Sequence, residues 1–244
     1  MSSATRCGGE GIGRLYGVGV GPGDPELVTV KARRILSQVA VIFVPKKTEQ
    51  SESIAESIIG NLSPRIETKI VGMVLPMLRD EEQLQGYWNQ AANTIWRYLK
   101  NGEDCAFVNV GDPLFYGTFV HILETVKNSH PEVEVEVIPG ISSINAAAAR
   151  AVVPLASSDE RIAIISGNEE DKVIRQTLEN FDTVVFMKMN TGFDKLLAIL
   201  EELSLLEKCV YVRRCTTQDE EIIRDIRRLK GERVDYFSLL IVRK

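Results

Sequence analysis

The sequence predicts two α/β domains, the first built on a mainly parallel sheet, with a ligand cleft between them. Three observations carry that expectation. Short apolar runs of strand length alternate with segments whose apolar residues recur at helical spacing, a pattern that calls for right-handed crossovers and parallel pairing. At 244 residues the chain is long for one domain and comfortable for two. No repeat, low-complexity run or long linker interrupts it, so the halves should pack together, and clefts between such domains commonly hold ligands.

The elements follow in order. Leu15 to Val20 is a buried strand running into a Gly/Pro turn. Asp24-Pro25 offers a helix N-cap followed by proline at the first helical position, where its missing N–H costs nothing. Val28, Ala32, Ile35, Leu36 and Val39 continue at helical spacing. Val39 to Val44 is a second buried strand stopped by Pro45, followed by a helix near Glu52 to Ile59 and a strand near Ile66 to Val71. Leu84, Trp88, Ala91, Ile95 and Leu99 mark one face of a helix from Asp80 to Lys100. Cys105 to Val110 is the next strand, and Phe119, Ile122, Leu123 and Val126 stripe the helix after its loop. Val133 to Ile138 ends at Pro139-Gly140, and an alanine-rich helix runs from about Ser142 to Ala151.

Beyond Pro154, strands near Arg161 to Ile165, Thr183 to Met187, Lys208 to Val212 and Phe237 to Val242 are interleaved with helices. The charged segment Glu220 to Leu229 suits strand or helix. These readings divide the chain into an N-terminal arm over 1–13, a first domain over 14–135 and a second over 136–244.

Composition narrows the partners. With 29 basic and 34 acidic side chains the net charge is −5, which argues against a nucleic-acid partner, since counterion replacement needs a basic surface. Hydrophobic residues make up 44% and charged residues 26%, as in an ordinary soluble globular protein. The longest tight apolar run, Val39 to Val44, is about a third of a membrane span, so no membrane association is expected. The first thirteen residues are small, polar and Gly-rich, lack the apolar core of a signal peptide, and suit a flexible arm on a cytoplasmic protein. Cys7, Cys105, Cys209 and Cys215 form no Cys-x-x-Cys pair and only two histidines are present, which disfavours a bound metal and suits idle thiols in a reducing compartment.

Three turns carry the chemistry. Gly17-Val18-Gly19-Val20-Gly21-Pro22-Gly23-Asp24 follows a strand and opens a helix, the setting of a phosphate cradle. Its spacing fails the dinucleotide fingerprint, because the third glycine falls on Pro22 or on Asp24, and no Gly-Lys-Ser/Thr follows for a P-loop. Asp24 suits a helix cap and can also line a cleft. Val110-Gly111-Asp112-Pro113-Leu114-Phe115-Tyr116 sits at the carboxyl end of a parallel strand, where ligands gather. There Gly111 permits close backbone approach, Pro113 stiffens the loop, and Asp112 supplies a carboxylate. Pro139-Gly140-Ile141-Ser142-Ser143 is a third turn entering a helix, whose exposed N–H groups suit a carboxylate.

In order and spacing these turns resemble those of the tetrapyrrole methylases from about residue 14 to 244. The family's Val-Gly-x-Gly-Pro-Gly-Asp opening stands at Val18 to Asp24, with its Gly-Asp-Pro loop and Pro-Gly-Ile-x-Ser/Ala turn following. The resemblance implies two α/β domains with a mixed second sheet, a homodimer, no protein-bound metal, and S-adenosylmethionine folded in the inter-domain cleft. Carried over position by position, it implies cofactor contacts at Pro22, Val110, Gly111, Asp112, Phe115, Ser142, Ser143, Lys188 and Cys215. Lys188 stands where uroporphyrinogen III methylases commonly have methionine, and Cys215 where they have glycine.

Phe43-Val44-Pro45-Lys46, Gly111 to Tyr116, Met187-Lys188 and Tyr236 to Leu240 are most similar to the branch that methylates C20 of precorrin-2, or of its cobalt-containing counterpart cobalt-factor II, in cobalamin biosynthesis. Such a polycarboxylate substrate calls for basic contacts, for which Lys46, Lys47, Arg79, Arg213 and Arg214 are candidates, with Tyr116 and Asp24 beside them. The uroporphyrinogen III enzymes carry an aspartate, proposed as proton acceptor, at the end of the second strand. Pro45 occupies that position here, so no base transfers by resemblance. A nucleotide-dependent oxidoreductase using the first turn and a non-catalytic nucleotide sensor remain as rival classes.

Overall fold

A computed structural model of the protein describes residues 11–60, 62, 68–76, 80–189 and 192–244. The chain forms two compact units, the first ending at Ser142 and the second beginning at Ser143.

The first unit holds β1 (Leu15–Gly19), β2 (Val41–Lys46), β3 (Lys69–Val74), β4 (Cys105–Asn109) and β5 (Val135–Ile138) in one sheet of order β3-β2-β4-β1-β5. Every pairing in it is parallel. Its helices are α1 (Val30–Leu36), α2 (Ile54–Gly60), α3 (Glu81–Leu99) and α4 (Phe119–Ser129). Both faces of the sheet are covered, so the central strands are apolar at consecutive positions rather than at alternate ones. Ile42, Val44, Ala106 and Val108 meet Ile35, Leu36, Ile58 and Ile59 of α1 and α2 on one face. Leu15, Phe43 and Phe107 meet Ile95, Leu99, Phe119 and Ile122 of α3 and α4 on the other. On that face Gly17 leaves room for the Phe119 ring, which a Cβ there would meet at 2.2 Å. Trp88 stacks on His121 and Trp96 on His130, at 4.2 and 4.0 Å between ring centres. Both histidines of the chain are thus occupied in the α3–α4 seam.

The second unit holds β6 (Ile162–Ser166), β7 (Thr183–Met187), β8 (Cys209–Arg213), β9 (Glu221–Ile223) and β10 (Ser238–Arg243), ordered β6-β7-β10-β8-β9. Here β6 and β7 are parallel while β10 runs antiparallel to β7 and β8, and β9 antiparallel to β8. The sheet is therefore mixed, as the family resemblance implies. Ile174, Leu178, Leu196 and Leu200, from α6 (Asp171–Asn180) and α7 (Phe193–Glu202), pack on Val184, Phe186, Tyr211 and Leu240. The remaining helix, α5 (Ser143–Ala151), packs against β8 and β10.

Four sequence expectations need correction. The helix after Asp24 is interrupted: a 3-10 turn over Pro25–Leu27 is capped by Asp24, Val28 is extended, and α1 starts at Val30. The cause is a second N-cap, Thr29, whose hydroxyl accepts the Ala32 N–H at 3.1 Å. The strand expected at 66–71 lies at Lys69–Val74, in register with β2 through Lys46 and Val74. The segment Glu220 to Leu229 is neither one strand nor one helix, since β9 is followed by a 3-10 turn at Ile226–Leu229. Finally, the division at 135/136 cuts β5 from the strand it pairs with, because Val135 to Ile138 hydrogen-bonds β1 from Leu15 to Val18. Of the N-terminal arm, residues 1–10 lie outside the described residues, while the Gly13 N–H donates to the Leu99 carbonyl at 2.8 Å. No helix among the described residues is long and apolar enough to cross a membrane.

Candidate active site

In the first sheet all strands point the same way, so the loops after β1, β2, β4 and β5 leave from one edge. The adjacent strands β1 and β4 then diverge, β1 leading to α1 on one face and β4 to α4 on the other. Such a reversal opens a crevice at the carboxyl edge where ligands bind in open α/β sheets. The residues at that crevice are those of the first two turns. Gly21 and Gly111, at φ 74° and 75°, bridge across it, the Gly111 N–H donating to the Gly21 carbonyl at 2.8 Å. Both angles lie in the left-handed region that glycine occupies without strain.

The third turn joins them by backbone contact. A Cβ on Gly19 would lie 2.6 Å from the Gly111 carbonyl oxygen and from the Gly140 nitrogen, and one on Gly140 would lie 2.2 Å from the same oxygen. Asp112 fastens the contact: its Oδ1 accepts the Leu114 N–H at 2.9 Å and its Oδ2 accepts the Gly140 N–H at 3.0 Å. The carboxylate offered by sequence as a ligand contact thus has one backbone N–H on each oxygen. Hydrogen bonds to a charged group contribute about 1.5–3 kcal/mol each, enough to lock both loops.

Asn109, 6% exposed at the end of β4, fixes the loop from inside. Its amide donates to the Val110 carbonyl at 2.9 Å and the Asp112 carbonyl at 3.3 Å, and its Oδ1 accepts the Phe119 N–H at 3.4 Å. Pro22 is buried in the first turn and Val110 is half-buried. The loop tip is open, with Phe115 and Tyr116 exposed and their rings edge-on at 5.1 Å. Tyr116 holds φ at 53°, a conformation that presents its side chain at some backbone cost. Ser142 and Ser143, both half-buried, bring the chain into α5, whose first N–H groups have no partner within the helix.

The substrate-contact candidates differ once their neighbours are known. At the end of β2, Lys46 lays its aliphatic stem over Gly72 and pairs with Glu56 at 3.4 Å. Lys47 is exposed and has no ion pair among the described residues. Asp24 accepts the Glu26 N–H at 2.8 Å, as a cap should. Arg79 lies outside the described residues. In the second unit Arg213 pairs with Glu221 at 2.5 Å, and Arg214 is shared by Asp219 at 3.0 Å and Asp235 at 2.7 Å. Two carboxylates on one guanidinium make Arg214 a brace for its own loop rather than an open anion contact.

That loop begins at the edge of the second sheet where β6, β7 and β8 end. Lys188 follows β7 at φ 54°, its carbonyl accepting from the Asn168 amide at 2.8 Å. Arg214 and Thr216 follow β8 at φ 45° and 64°, with buried Cys215 between them. Left-handed backbone at non-glycine residues costs about 1–3 kcal/mol each and marks sites where the surroundings impose a conformation. Burial pushes the Cys215 thiol up to about 12, helped by the charge of Glu220, so it acts as a neutral packing group rather than a nucleophile.

Glu220 and Asp235 hold this edge together. The Arg150 guanidinium, hydrogen-bonded to Glu220, keeps its carboxyl below the usual range despite burial. Burial would raise Asp235, but the Arg214 and Phe237 N–H donors outweigh it and the carboxyl is lowered. A lowered carboxyl stabilises the fold above its unfolded value, and that contribution is lost as pH falls through the folded value. Thermal melts at decreasing pH should therefore show stability falling in acid, with a shallower decline in Glu220→Gln; parallel pH curves for the two proteins would exclude this role.

Sequence reasoning did not find Asn109, Glu220, Arg150 or Asp235. Asn109 had a legible signal, a polar residue inside the apolar run Cys105 to Val110. The others had none, because the arginine–carboxylate pairs they form, Arg150 with Glu220 and Arg214 with Asp235, join residues distant in sequence.

The fold is that of α/β methyltransferases. The family model described as Tetrapyrrole (Corrin/Porphyrin) Methylases matches residues 14–228, and the chain belongs to that family of S-adenosylmethionine-dependent methyltransferases. It is 30% identical to the cobalt-precorrin-2 C(20)-methyltransferase of Salmonella typhimurium, covering 95% of this chain and 97% of that one. It is 31% identical to the precorrin-2 C(20)-methyltransferase of a Sinorhizobium species, covering 96% of each. Among solved structures, the uroporphyrin-III C-methyl transferase of Thermus thermophilus complexed with S-adenyl homocysteine superposes with a TM-score of 0.64, at 24% identity over 95% of this chain and 98% of that one. At that identity the likeness is one of fold.

Proposed function

We propose that the chain transfers the methyl group of S-adenosylmethionine to C20 of precorrin-2, giving precorrin-3A and S-adenosylhomocysteine. The observation that carries this reading is the near full-length similarity to relatives named for C(20) methylation of precorrin-2 or of cobalt-precorrin-2. A second reading, the same transfer to the cobalt-containing macrocycle, is favoured by the name of the Salmonella relative. Both substrates offer the same carbon.

The residues present fit the cofactor. At Gly19 and Gly140 the absence of a Cβ lets the turns after β1, β4 and β5 meet backbone to backbone, an arrangement that suits main-chain groups presented to a nucleoside. We assign cofactor contacts to Pro22, Val110, Gly111, Phe115, Ser142, Ser143, Lys188 and Cys215, with Asp112 acting by holding its loop. When bound, the cofactor supplies an electrophilic methyl on a positively charged sulfur. That charge disappears during transfer, so a carboxylate aimed at it would favour the ground state; an Asp112 with an N–H on each oxygen avoids this penalty. The macrocycle brings its own carbon nucleophile, and the chain's task is alignment and exclusion of water. Lys47 is the basic candidate best placed to meet a substrate carboxylate, with Tyr116 beside the macrocycle. No protein metal and no side-chain base take part in the proposal. A cytoplasmic homodimer completes it, the dimer being checked by sedimentation.

The deciding experiment supplies S-adenosylmethionine with metal-free precorrin-2 or with its cobalt form. Mass spectrometry should find one added methyl and NMR should place it at C20. Methylation at another ring carbon, or none with either substrate, would overturn the proposal.

A further inference from the structure

The strained loop after β8 needs something to hold it. Its two left-handed residues, Arg214 and Thr216, flank Cys215. Glu220, with its side chain 11% exposed, reaches back into the loop and accepts the Thr216 N–H at 2.6 Å. The same carboxylate receives Arg150 from α5 in a two-pronged contact, Nε at 2.8 Å and Nη2 at 2.6 Å to Oε1. A second tie runs the same way, Arg224 donating to the Ala151 carbonyl at the end of α5 at 2.7 Å. The helix that begins at Ser143 is thus fastened at its far end to the loop that carries Cys215.

We infer that Arg150 and Glu220 are positioning residues for the cofactor, holding the Cys215 loop in its left-handed conformation and in fixed relation to α5. The inference rests on the proposed function, in which Ser143 and Cys215 both face S-adenosylmethionine, and extends it to two residues outside the contact set. Two features separate the pair from an ordinary surface ion pair. Exposed pairs contribute little because water screens them, whereas Glu220 is mostly buried and also serves a backbone N–H. The group it serves lies in the strained turn itself, where a free backbone would relax toward ordinary angles. Holding a contact surface in its bound shape beforehand raises affinity by removing the ordering cost from binding.

The test uses the full chain and S-adenosylhomocysteine as the probe, with three measurements. Calorimetry gives its affinity, amide hydrogen exchange follows residues 214–217 with and without it, and steady-state kinetics separates the KM values of the two substrates. In the unmodified chain the probe should protect those amides. Glu220→Ala should exchange them faster in the free protein and weaken the probe by about tenfold or more, with the macrocycle KM and the kcat at saturating S-adenosylmethionine within about threefold. Glu220→Gln keeps one acceptor oxygen for the Thr216 N–H but turns an NH2 group toward Arg150, so its affinity should fall between those of Glu220→Ala and the unmodified chain, a partial rescue that general destabilisation would not give. Arg150→Ala should behave like Glu220→Ala.

If the probe protects the loop but Glu220→Ala binds it unchanged, the positioning role is overturned and the cofactor reading stands. If Gln and Ala variants lose affinity equally and in step with melting temperature, the pair is merely structural. If the unmodified chain shows no protection at 214–217, the cofactor reading of the loop fails, and the positioning role with it.

Discussion

Gly140→Ala should abolish cofactor binding and destabilise the first unit. The new Cβ would stand 2.2 Å from the Gly111 carbonyl oxygen and 2.8 Å from the Gly19 Cα. Both are backbone atoms of neighbouring strand ends, so no side chain can rotate away and the turns after β1, β4 and β5 must part. Overpacking a well-filled site costs about 1–3 kcal/mol where side chains can adjust, and a backbone contact places this change at or beyond the upper end. Parting the turns also releases the Gly140 N–H from Asp112. Chemical denaturation and a calorimetric titration with S-adenosylmethionine measure the two effects. Gly86→Ala is the control: exposed in α3, with nothing within 4 Å of its Cβ, it should be neutral or slightly stabilising. Binding by Gly140→Ala at the level of this control would mean that the three turns are not in contact.

Asp112→Ala should weaken both the fold and the cofactor complex, and the coupling of the two is the informative part. The substitution leaves the Leu114 and Gly140 N–H groups without their acceptors, and a hydrogen bond to a charged group contributes about 1.5–3 kcal/mol. Affinity for S-adenosylmethionine should fall by about tenfold or more, or about 1.4 kcal/mol. Asp112→Asn retains one acceptor oxygen but points an NH2 group at the second N–H, so it should recover only part of either loss. A direct carboxylate–cofactor contact predicts a different outcome, with affinity lost and stability nearly unchanged. That result would return Asp112 to the contact set.

The contrast at Asp112 shows how far the sequence could be read. Gly111, Asp112 and Pro113 mark a loop at the carboxyl end of a strand, and their order with Pro22 and Pro139-Gly140 carries the family resemblance. What the aspartate touches depends on β5 lying beside β1, a pairing between segments far apart in the chain. The same limit explains the basic candidates. Lys46, Arg213 and Arg214 look alike as sequence, but Glu56, Glu221, Asp219 and Asp235 occupy them in the fold. Local signals misled where two were superimposed: Asp24 and Thr29 are both sound caps five residues apart, and each starts its own short element. The residues that fasten the second edge, Arg150 and Glu220, carry no local mark, since their spacing belongs to no motif.

The strand order of the first sheet has a consequence for how the chain is made. β1 leaves the ribosome before the other strands of its sheet, yet its neighbours are β4 and β5, through Leu15 beside Cys105 and Val135. Until residue 138 has been synthesised, β1 lacks a partner on one side, and before β4 emerges it has none within the sheet. Pairings so distant in sequence are slow to form because a long loop must close before any contact rewards it. An apolar strand left open during synthesis is a site for mispairing. The glycines at positions 17 and 19, which serve the finished protein by admitting Phe119 and the neighbouring turns, also lower the strand propensity of the segment that waits longest.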